Sequence, residues 1–533
     1  MAPRLSLPDG RALVLIGFMG AGKSTAARSA AQALSAVARD VDEVLVRRLG
    51  KPIERVFAED GEAAFRAAEE AVTLELLRDC AVLSLGGGAL GSPRVREALR
   101  DHLVVWLDVS AEAAWGRVRG TGRPLARERT EFERLYAQRQ PTYERLADVV
   151  VPAERSHAMA PVLRALAGLA PATRLLWAAS ASGDYPVYIG AGLLEGQGFW
   201  PATVGGRRFV VTDGRVGALY GEAPALAPYE GRVSIMPGEQ SKTIAHAEIV
   251  WTELARAGMM RDDVVVALGG GVVGDLAGFC AATYQRGVRC VQVPTTLVAQ
   301  VDSAYGGKTG VDLAEAKNYV GAYHQPAAVI ADTATLGTLP QAEIAAGYVE
   351  VLKTALIAGG QLWERVRSGA DPTAPDLIVA CARTKLRVVA RDERDAGARQ
   401  VLNLGHTVAH AIETATGYAR YRHGEAVALG LLAALRLSGR DELRREVHSL
   451  LAARGLPTEL DGVDPDTVVI ATARDKKRVG AGPVPFVLLD APGDARPGCA
   501  IEPRELIGAV RELAGTPRRG RADNPRNGTA RQA

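Results

Sequence analysis

Gly17-Phe18-Met19-Gly20-Ala21-Gly22-Lys23-Ser24 lies between an apolar run, Leu13-Val14-Leu15-Ile16, and an alanine-rich stretch that reaches Leu34. Strand, glycine loop and helix in that order make a cradle for phosphate. Glycines let backbone N–H groups wrap the anion, and the N-terminus of the helix adds partial positive charge. The spacing fits GxxxxGK[ST], so Gly20, Ala21, Gly22, Lys23, Ser24 and Thr25 are expected to hold the phosphates of a nucleotide, with Lys23 on the terminal ones and the Ser24 hydroxyl on Mg2+. Apolar runs at 81–85 and 103–107 alternate with helical stretches through Val151, which predicts a small parallel sheet wrapped by helices.

At 533 residues the chain exceeds what one hydrophobic core serves. It is 47% apolar and 23% charged, the composition of packed domains, and its formal net charge of +3 leaves no excess for coating a nucleic acid. Cys80, Cys280, Cys290, Cys381 and Cys499 show neither paired nor CxxC spacing, which suits a reducing, cytoplasmic compartment. No run approaches the ~18 apolar residues of a membrane span. Only nine of the 64 basic residues are lysine. Where any cation serves, this chain uses arginine, so a lysine points to a place that needs a compact ammonium.

The acceptor of the phosphate has to be read from the rest of the first segment. Asp40-Val41-Asp42 ends the second strand, Phe65-Arg66-Ala67-Ala68-Glu69 falls on a helix, and Gly86-Gly87-Gly88 follows a strand. Arg123-Pro124-Leu125 lies in a short polar loop, and Arg139 precedes Pro141-Thr142-Tyr143. In this order and spacing the segment resembles shikimate kinase from Leu13 to Val151. The resemblance implies that ATP-Mg is the donor, that Asp42, Arg66, Gly87, Gly88 and Arg139 hold the triol carboxylate acceptor, and that Asp40 joins Ser24 at Mg2+. It also makes Arg123 a lid arginine that touches ATP, with Lys23, Asp42 and Arg123 the catalytic set. Arg119 is a candidate for stacking on adenine. The acceptor asks for these residue types on physical grounds too: bidentate arginines for its carboxylate, and an acid for the attacking hydroxyl.

Beyond 165 the pattern dissolves into Ala, Pro and Ser, and 166–184 reads as a linker between separable segments. A second alternation of strands and helices occupies 185–338, long Ala/Leu-rich helices follow over 339–515, and 516–533, rich in Arg, Gly and Asn, reads as a disordered tail. The expected fold class is α/β: a P-loop parallel-sheet domain over 1–165, then a Rossmann-like α/β subdomain followed by an all-helical subdomain.

Three of the eight histidines fall close together, in Asn403-Leu404-Gly405-His406-Thr407-Val408-Ala409-His410 and His423-Gly424-Glu425. His406 and His410 stand i,i+4 on one helix face and His423 can approach from the next helix; with a carboxylate they suit a Zn2+ site that keeps a position open. The run 264–268 leads into Gly269-Gly270-Gly271-Val272-Val273-Gly274-Asp275, a GxGxxG turn of the kind that binds a dinucleotide pyrophosphate, with no acid at the usual distance beyond it. Lys242, Lys308, Lys317, Lys353, Lys385, Lys476 and Lys477 gather in this part beside acids and glycines, as a multiply anionic phosphorylated substrate would need.

Over about 185–515 the chain resembles 3-dehydroquinate synthase, in Pro237-Gly238-Glu239-Gln240, the glycine turn 269–275, Tyr284-Gln285-Arg286-Gly287, Pro294-Thr295-Thr296 and Asn403-Leu404-Gly405-His406. The resemblance implies Zn2+ (or Co2+) on Glu350, His406 and His423, with His410 an acid–base group near the substrate phosphate and not a ligand. It implies NAD on Asp213, Glu239, Lys242, Gly270, Gly271, Val272, Asp275, Thr295, Thr296, Lys308 and Lys317. The substrate would lie among Asp302, Lys308, Asn318, Lys385, Arg399 and Asn403. Lys308, Lys353, His410 and Arg286 would act in catalysis, Arg286 from the neighbouring subunit of a homodimer. Asp312 (for Asn), Ala316 (for Gly) and the bulky Tyr305 depart from the family pattern.

The two segments together imply a bifunctional enzyme: ATP phosphorylates shikimate at one site, and at the other 3-deoxy-arabino-heptulosonate 7-phosphate becomes 3-dehydroquinate plus phosphate. The alternatives for the second segment are a related sugar-phosphate cyclase or a metal-dependent polyol dehydrogenase, disfavoured by Lys317-Asn318, Arg286 and the partner kinase. A non-catalytic scaffold in either segment is disfavoured by the intact Lys23, Ser24, Glu350, His406 and His423.

Overall fold

The computed structural model describes residues 7, 11–120, 128–170, 172–195, 199–313, 317–472 and 484–514. Arg123, Ala316, Lys476, Lys477 and the 516–533 tail lie outside the described residues.

Short apolar runs build the frame. β1 (Leu13–Ile16), β2 (Ala38–Asp40), β3 (Val82–Ser84), β4 (Leu103–Asp108) and β5 (Val149–Pro152) pair in parallel. The central ones are buried along their whole length, because helices cover both faces of a parallel sheet. A second parallel group comprises β7 (Tyr185–Gly190), β8 (Arg208–Asp213), β9 (Gly231–Ile235), β10 (Val264–Gly269), β11 (Arg289–Pro294) and β14 (Ala328–Asp332). Between them β12 (Lys308–Val311) and β13 (Val320–Tyr323) form a separate antiparallel pair.

The stretch expected to be a linker contains a strand, β6 (Arg174–Ala178). It runs parallel to β5 and antiparallel to β7, so both groups merge into one twelve-stranded sheet, in the order β2-β3-β1-β4-β5-β6-β7-β14-β11-β10-β8-β9. Leu175, Leu176 and Trp177 are all buried, so this strand shows no polar alternation by which its sequence would announce it. The antiparallel step at β6–β7 leaves the two groups of strands running in opposite directions.

The chain divides into compact units at Met1–Leu402 and Asn403–Ala533. The helices Gln341–Ala358 and Pro375–Arg391 fall within the first of these units. Within the second unit the helices His406–Ala415 and His423–Leu437 cross where Gly430 meets Gly405. That unit is not all-helical: β15 (Phe486–Ala491) and β16 (Asp494–Cys499) form an antiparallel hairpin.

Candidate active sites

The P-loop closes β1 onto the helix Lys23–Leu34. Gly20 and Gly22 have φ of 81° and 86°, a conformation that glycine adopts without strain. Lys23 Nζ donates to the Phe18 carbonyl at 3.4 Å, and the Ser24 hydroxyl donates to Asp40 Oδ2 at 2.6 Å, joining the two groups expected at Mg2+. The other Asp40 oxygen accepts from the Asp42 N–H at 3.0 Å, which starts the helix Val41–Leu49 and fixes Asp42 at its first turn.

Asp42, Arg66 and Arg139 converge on Gly86-Gly87-Gly88. Arg139 donates to the Gly87 carbonyl at 2.7 Å, and a Cβ on Gly88 would land on the Arg66 guanidinium. A Cβ on Gly86 would strike the Glu69 and Asp42 carboxylates. Glu69, to which the sequence reading assigned no role, holds Arg66 at 2.6 Å from beneath and is itself buried; burial pushes its carboxyl up and Arg66 opposes this. Its signal was its place three residues after Arg66 on one helix face. Arg119 ends the helix Ala111–Val118.

In the second segment β10 runs into Gly270-Gly271 at the start of the helix Gly271–Thr283. Cβ atoms there would crowd Thr296 and Ser303, so the turn keeps a bare backbone open to a pyrophosphate, beside Val272. The buried Thr295 hydroxyl has no hydrogen-bond partner among the described residues. Asp213 caps the helix Gly214–Tyr220, accepting from two N–H groups at 2.9 Å. Lys242 is buried and donates to Asp275 Oδ2 at 2.6 Å and Asn318 Oδ1 at 2.5 Å. Burial opposes its charge, but Asp275 and Glu239 outweigh that and raise its pKa. Lys317 lies 3.3 Å from Glu239. Asp312, one of the departures from the family pattern, accepts from the Asn318 N–H at 2.7 Å. Tyr305 is core-packed and donates to the Gln300 carbonyl at 2.6 Å.

A lysine–acid cluster lies on the helices Gln341–Ala358 and Pro375–Arg391. Lys353 sits 3.0 Å from Asp302 and 2.5 Å from Glu350, and Lys385 pairs with Asp302 and its carbonyl. Burial would push Asp302 up, yet the two lysines hold its carboxyl well below the usual range. Lys385 is lowered by burial, and Lys308, also lowered by burial, pairs with Asp395 at 2.5 Å. Arg399, at 1% exposure, donates to the Gly306 and Glu393 carbonyls, clamping the turn before Lys308. Arg286 is exposed, at φ 68°.

In the second unit Asn403 precedes the histidine helices. The rings of His406 and His423 stand 5.4 Å apart, and those of His406 and His410 5.5 Å apart. His406 Nδ1 lies 3.2 Å from the Leu404 carbonyl and His423 Nδ1 3.3 Å from Glu413, contacts that orient an imidazole so that its Nε2 can meet a metal. Glu413 was missed by the sequence reading because nothing in its spacing ties it to His423.

Family models match 19–168 as shikimate kinase, 232–346 as the N-terminal and 347–478 as the C-terminal part of 3-dehydroquinate synthase. The 3-dehydroquinate synthase of Symbiobacterium thermophilum is 45% identical over 336 residues, 58% of this chain and 92% of the relative. The chain belongs to the 3-dehydroquinate synthase family. A shikimate kinase domain precedes the synthase segment, and the chain carries both enzymatic activities, a transferase and a lyase acting on small molecules. Among solved structures, a 2-deoxy-scyllo-inosose synthase complexed with carbaglucose-6-phosphate, NAD+ and Co2+ is 25% identical to the synthase segment, covering 64% of this chain and all of that one at a TM-score of 0.57. The 2-epi-5-epi-valiolone synthase of Streptomyces hygroscopicus subsp. jinggangensis 5008, with NAD+ and Zn2+ bound, is 27% identical over 62% of this chain and 96% of that one, at a TM-score of 0.56. No described helix is long and apolar enough to cross a membrane.

Proposed function

We propose the following division of labour at the two sites. In the kinase segment Lys23 and the P-loop N–H groups hold the ATP phosphates, Ser24 and Asp40 take Mg2+, and Arg66, Arg139 and the glycine triplet grip the shikimate carboxylate and ring hydroxyls. Asp42 receives the proton of the 3-hydroxyl as it attacks. Mg2+, when bound, offsets the charge that develops on the phosphates. Arg123, outside the described residues, is assigned to those phosphates by the kinase resemblance alone.

In the synthase segment the bare turn at Gly270-Gly271 and the orphaned Thr295 hydroxyl fit NAD, while Glu350, His406 and His423 are a donor set fit for Zn2+. When bound, NAD supplies a transient hydride acceptor and Zn2+ a Lewis acid for the alcohol being oxidised. Lys308, Lys317, Asn318, Lys353 and Lys385 hold the phosphorylated substrate through loss of its phosphate, His410 moves a proton beside that phosphate, and Arg286 enters from the partner in a homodimer. The five cysteines are all free, in keeping with reactions run in the cytoplasm. The observation that carries the reading of the second site is the pair of buried lysines, Lys353 and Lys385, on Asp302, which a diol dehydrogenase has no use for.

The test is stoichiometric. With 3-deoxy-arabino-heptulosonate 7-phosphate in large excess over NAD+, phosphate release should run far beyond the cofactor supplied, with no lasting NADH absorbance. A halt at one equivalent of NAD+ would return the second site to a dehydrogenase. Lys23→Ala should abolish shikimate phosphorylation while ring closure stays at the parent rate.

A further inference from the structure

The helix Pro375–Arg391 carries Lys385 toward Asp302. Two residues on, Arg387 points to the opposite face, since positions i and i+2 of a helix diverge by about 200°. Its Nη2 donates to Asp108 Oδ1 at 2.9 Å and lies 3.3 Å from the Tyr136 hydroxyl. Both partners belong to the kinase segment. Asp108 ends β4 and is 7% exposed. Its neighbour Leu107 walls the P-loop, for a Cβ on Gly17 would lie 2.7 Å from the Leu107 carbonyl oxygen. Tyr136 donates to the Val109 carbonyl at 2.7 Å and sets its ring edge-on to Phe18, with 5.3 Å between centroids. Phe18 is part of the P-loop, and its carbonyl is the one that accepts from Lys23. One guanidinium from the synthase segment therefore reaches the phosphate-binding loop by two routes. Arg383, one turn earlier on the same stripe, pairs with Glu144 and lies over the Trp106 ring, so the docking of this helix face does not rest on Arg387 alone.

We propose that Arg387 is a positioning residue of the kinase site supplied by the synthase segment: it neutralises Asp108 at the wall of the P-loop and holds Tyr136 against Phe18. The proposal rests on the reading of Gly17–Ser24 as the ATP site. Without the guanidinium, Asp108 is a buried carboxylate lacking its cation beside a loop that must accept a polyanion. It then repels the nucleotide, or draws in water and shifts the end of β4. A cavity of about 380 Å³ opens beside the pair, lined by Asp108, Leu176, Trp177, Arg383 and Arg387 among others. It has room for a free guanidinium ion.

That cavity makes the role testable by replacement of the missing group. In the full chain, Arg387→Ala is expected to lower kcat/KM for ATP about tenfold or more, with ring closure within about twofold of the parent. Methylguanidinium at non-denaturing concentration should restore part of the lost kinase rate in this variant and leave the parent unaffected. Asp108→Asn supplies a second arm: once the charge is gone, adding Arg387→Ala should cost less than it does in the parent. Unchanged kinase constants in Arg387→Ala overturn the proposal. So does an equal fall in both activities without rescue, which would make Arg387 a residue of general stability. Absence of shikimate phosphorylation in the parent would instead overturn the underlying ATP-site reading, and it shows before any variant is compared.

Discussion

His423 has Glu413 at its Nδ1, an arrangement that fixes the tautomer and turns the other ring nitrogen outward, while His410 stacks 6.4 Å away. His423→Ala is therefore expected to lose bound Zn2+ by elemental analysis. His410→Ala should keep the metal and turn over slowly, and zinc loss in that variant would put His410 back among the ligands. Glu413→Gln should weaken Zn2+ binding about tenfold, the usual effect of removing a carboxylate behind a ligating imidazole. At Asp392 the side chain accepts from the N–H groups of Ala396, Gly397 and Arg399, and these bonds, that of Arg399 foremost, lower its carboxyl to about 2. A carboxyl lowered on folding adds stability above its unfolded pKa, near 3.8, and that stability fades as pH falls toward 2. Asp392→Asn should thus melt below the parent at neutral pH, with the gap narrowing below about pH 4. A gap independent of pH would show that the charge is not what orders this turn. Single residues were readable where composition singled them out. With so few lysines, Lys242, Lys308, Lys353 and Lys385 drew notice, and all four meet acids. Asp395 and Glu413, which orient two functional groups, were not readable, because a partner brought in by folding leaves no spacing behind.

Between the two histidine helices the crossing is set by glycine. Gly405 has φ 79°, and a Cβ on Gly430 would collide with the Gly405 carbonyl. Gly430→Ala must push the helices apart, at a cost of about 1–3 kcal/mol for overpacking. Because His406 follows Gly405 directly, the wider crossing should also reduce Zn2+ affinity. Thermal melting and metal titration of this variant check both effects, and an unchanged metal affinity would show that the histidines are placed independently of the crossing. Elements with a strong pattern were legible, as the P-loop and the glycine turn after β10 show, since each couples a strand, a required glycine and a helix within one short run. β6 and the hairpin β15–β16 were not. β6 is short and buried, and the apolar start of β15, Phe486-Val487-Leu488-Leu489, carries no period to separate strand from helix.

For the molecule as a whole, the shared sheet changes what heating should do. Two beads on a linker would lose their activities at two temperatures. Strands hydrogen-bonded from β2 through β6 to β9 should instead unfold together, so shikimate phosphorylation and ring closure should fail at one midpoint. A nucleotide that binds the kinase should then protect ring closure too, because ligand bound to the folded form stabilises everything that melts with it. Kinase activity that outlasts ring closure by many degrees would show that the sheet is not one cooperative unit.

The reversal of strand direction at β6–β7 also governs traffic. The P-loop follows the end of β1 and the glycine turn follows the end of β10, and these strands point oppositely, so the two phosphate-binding turns open at opposite ends of the strands. The fusion therefore fixes the ratio of the two catalysts at one to one while each mouth faces its own substrate supply.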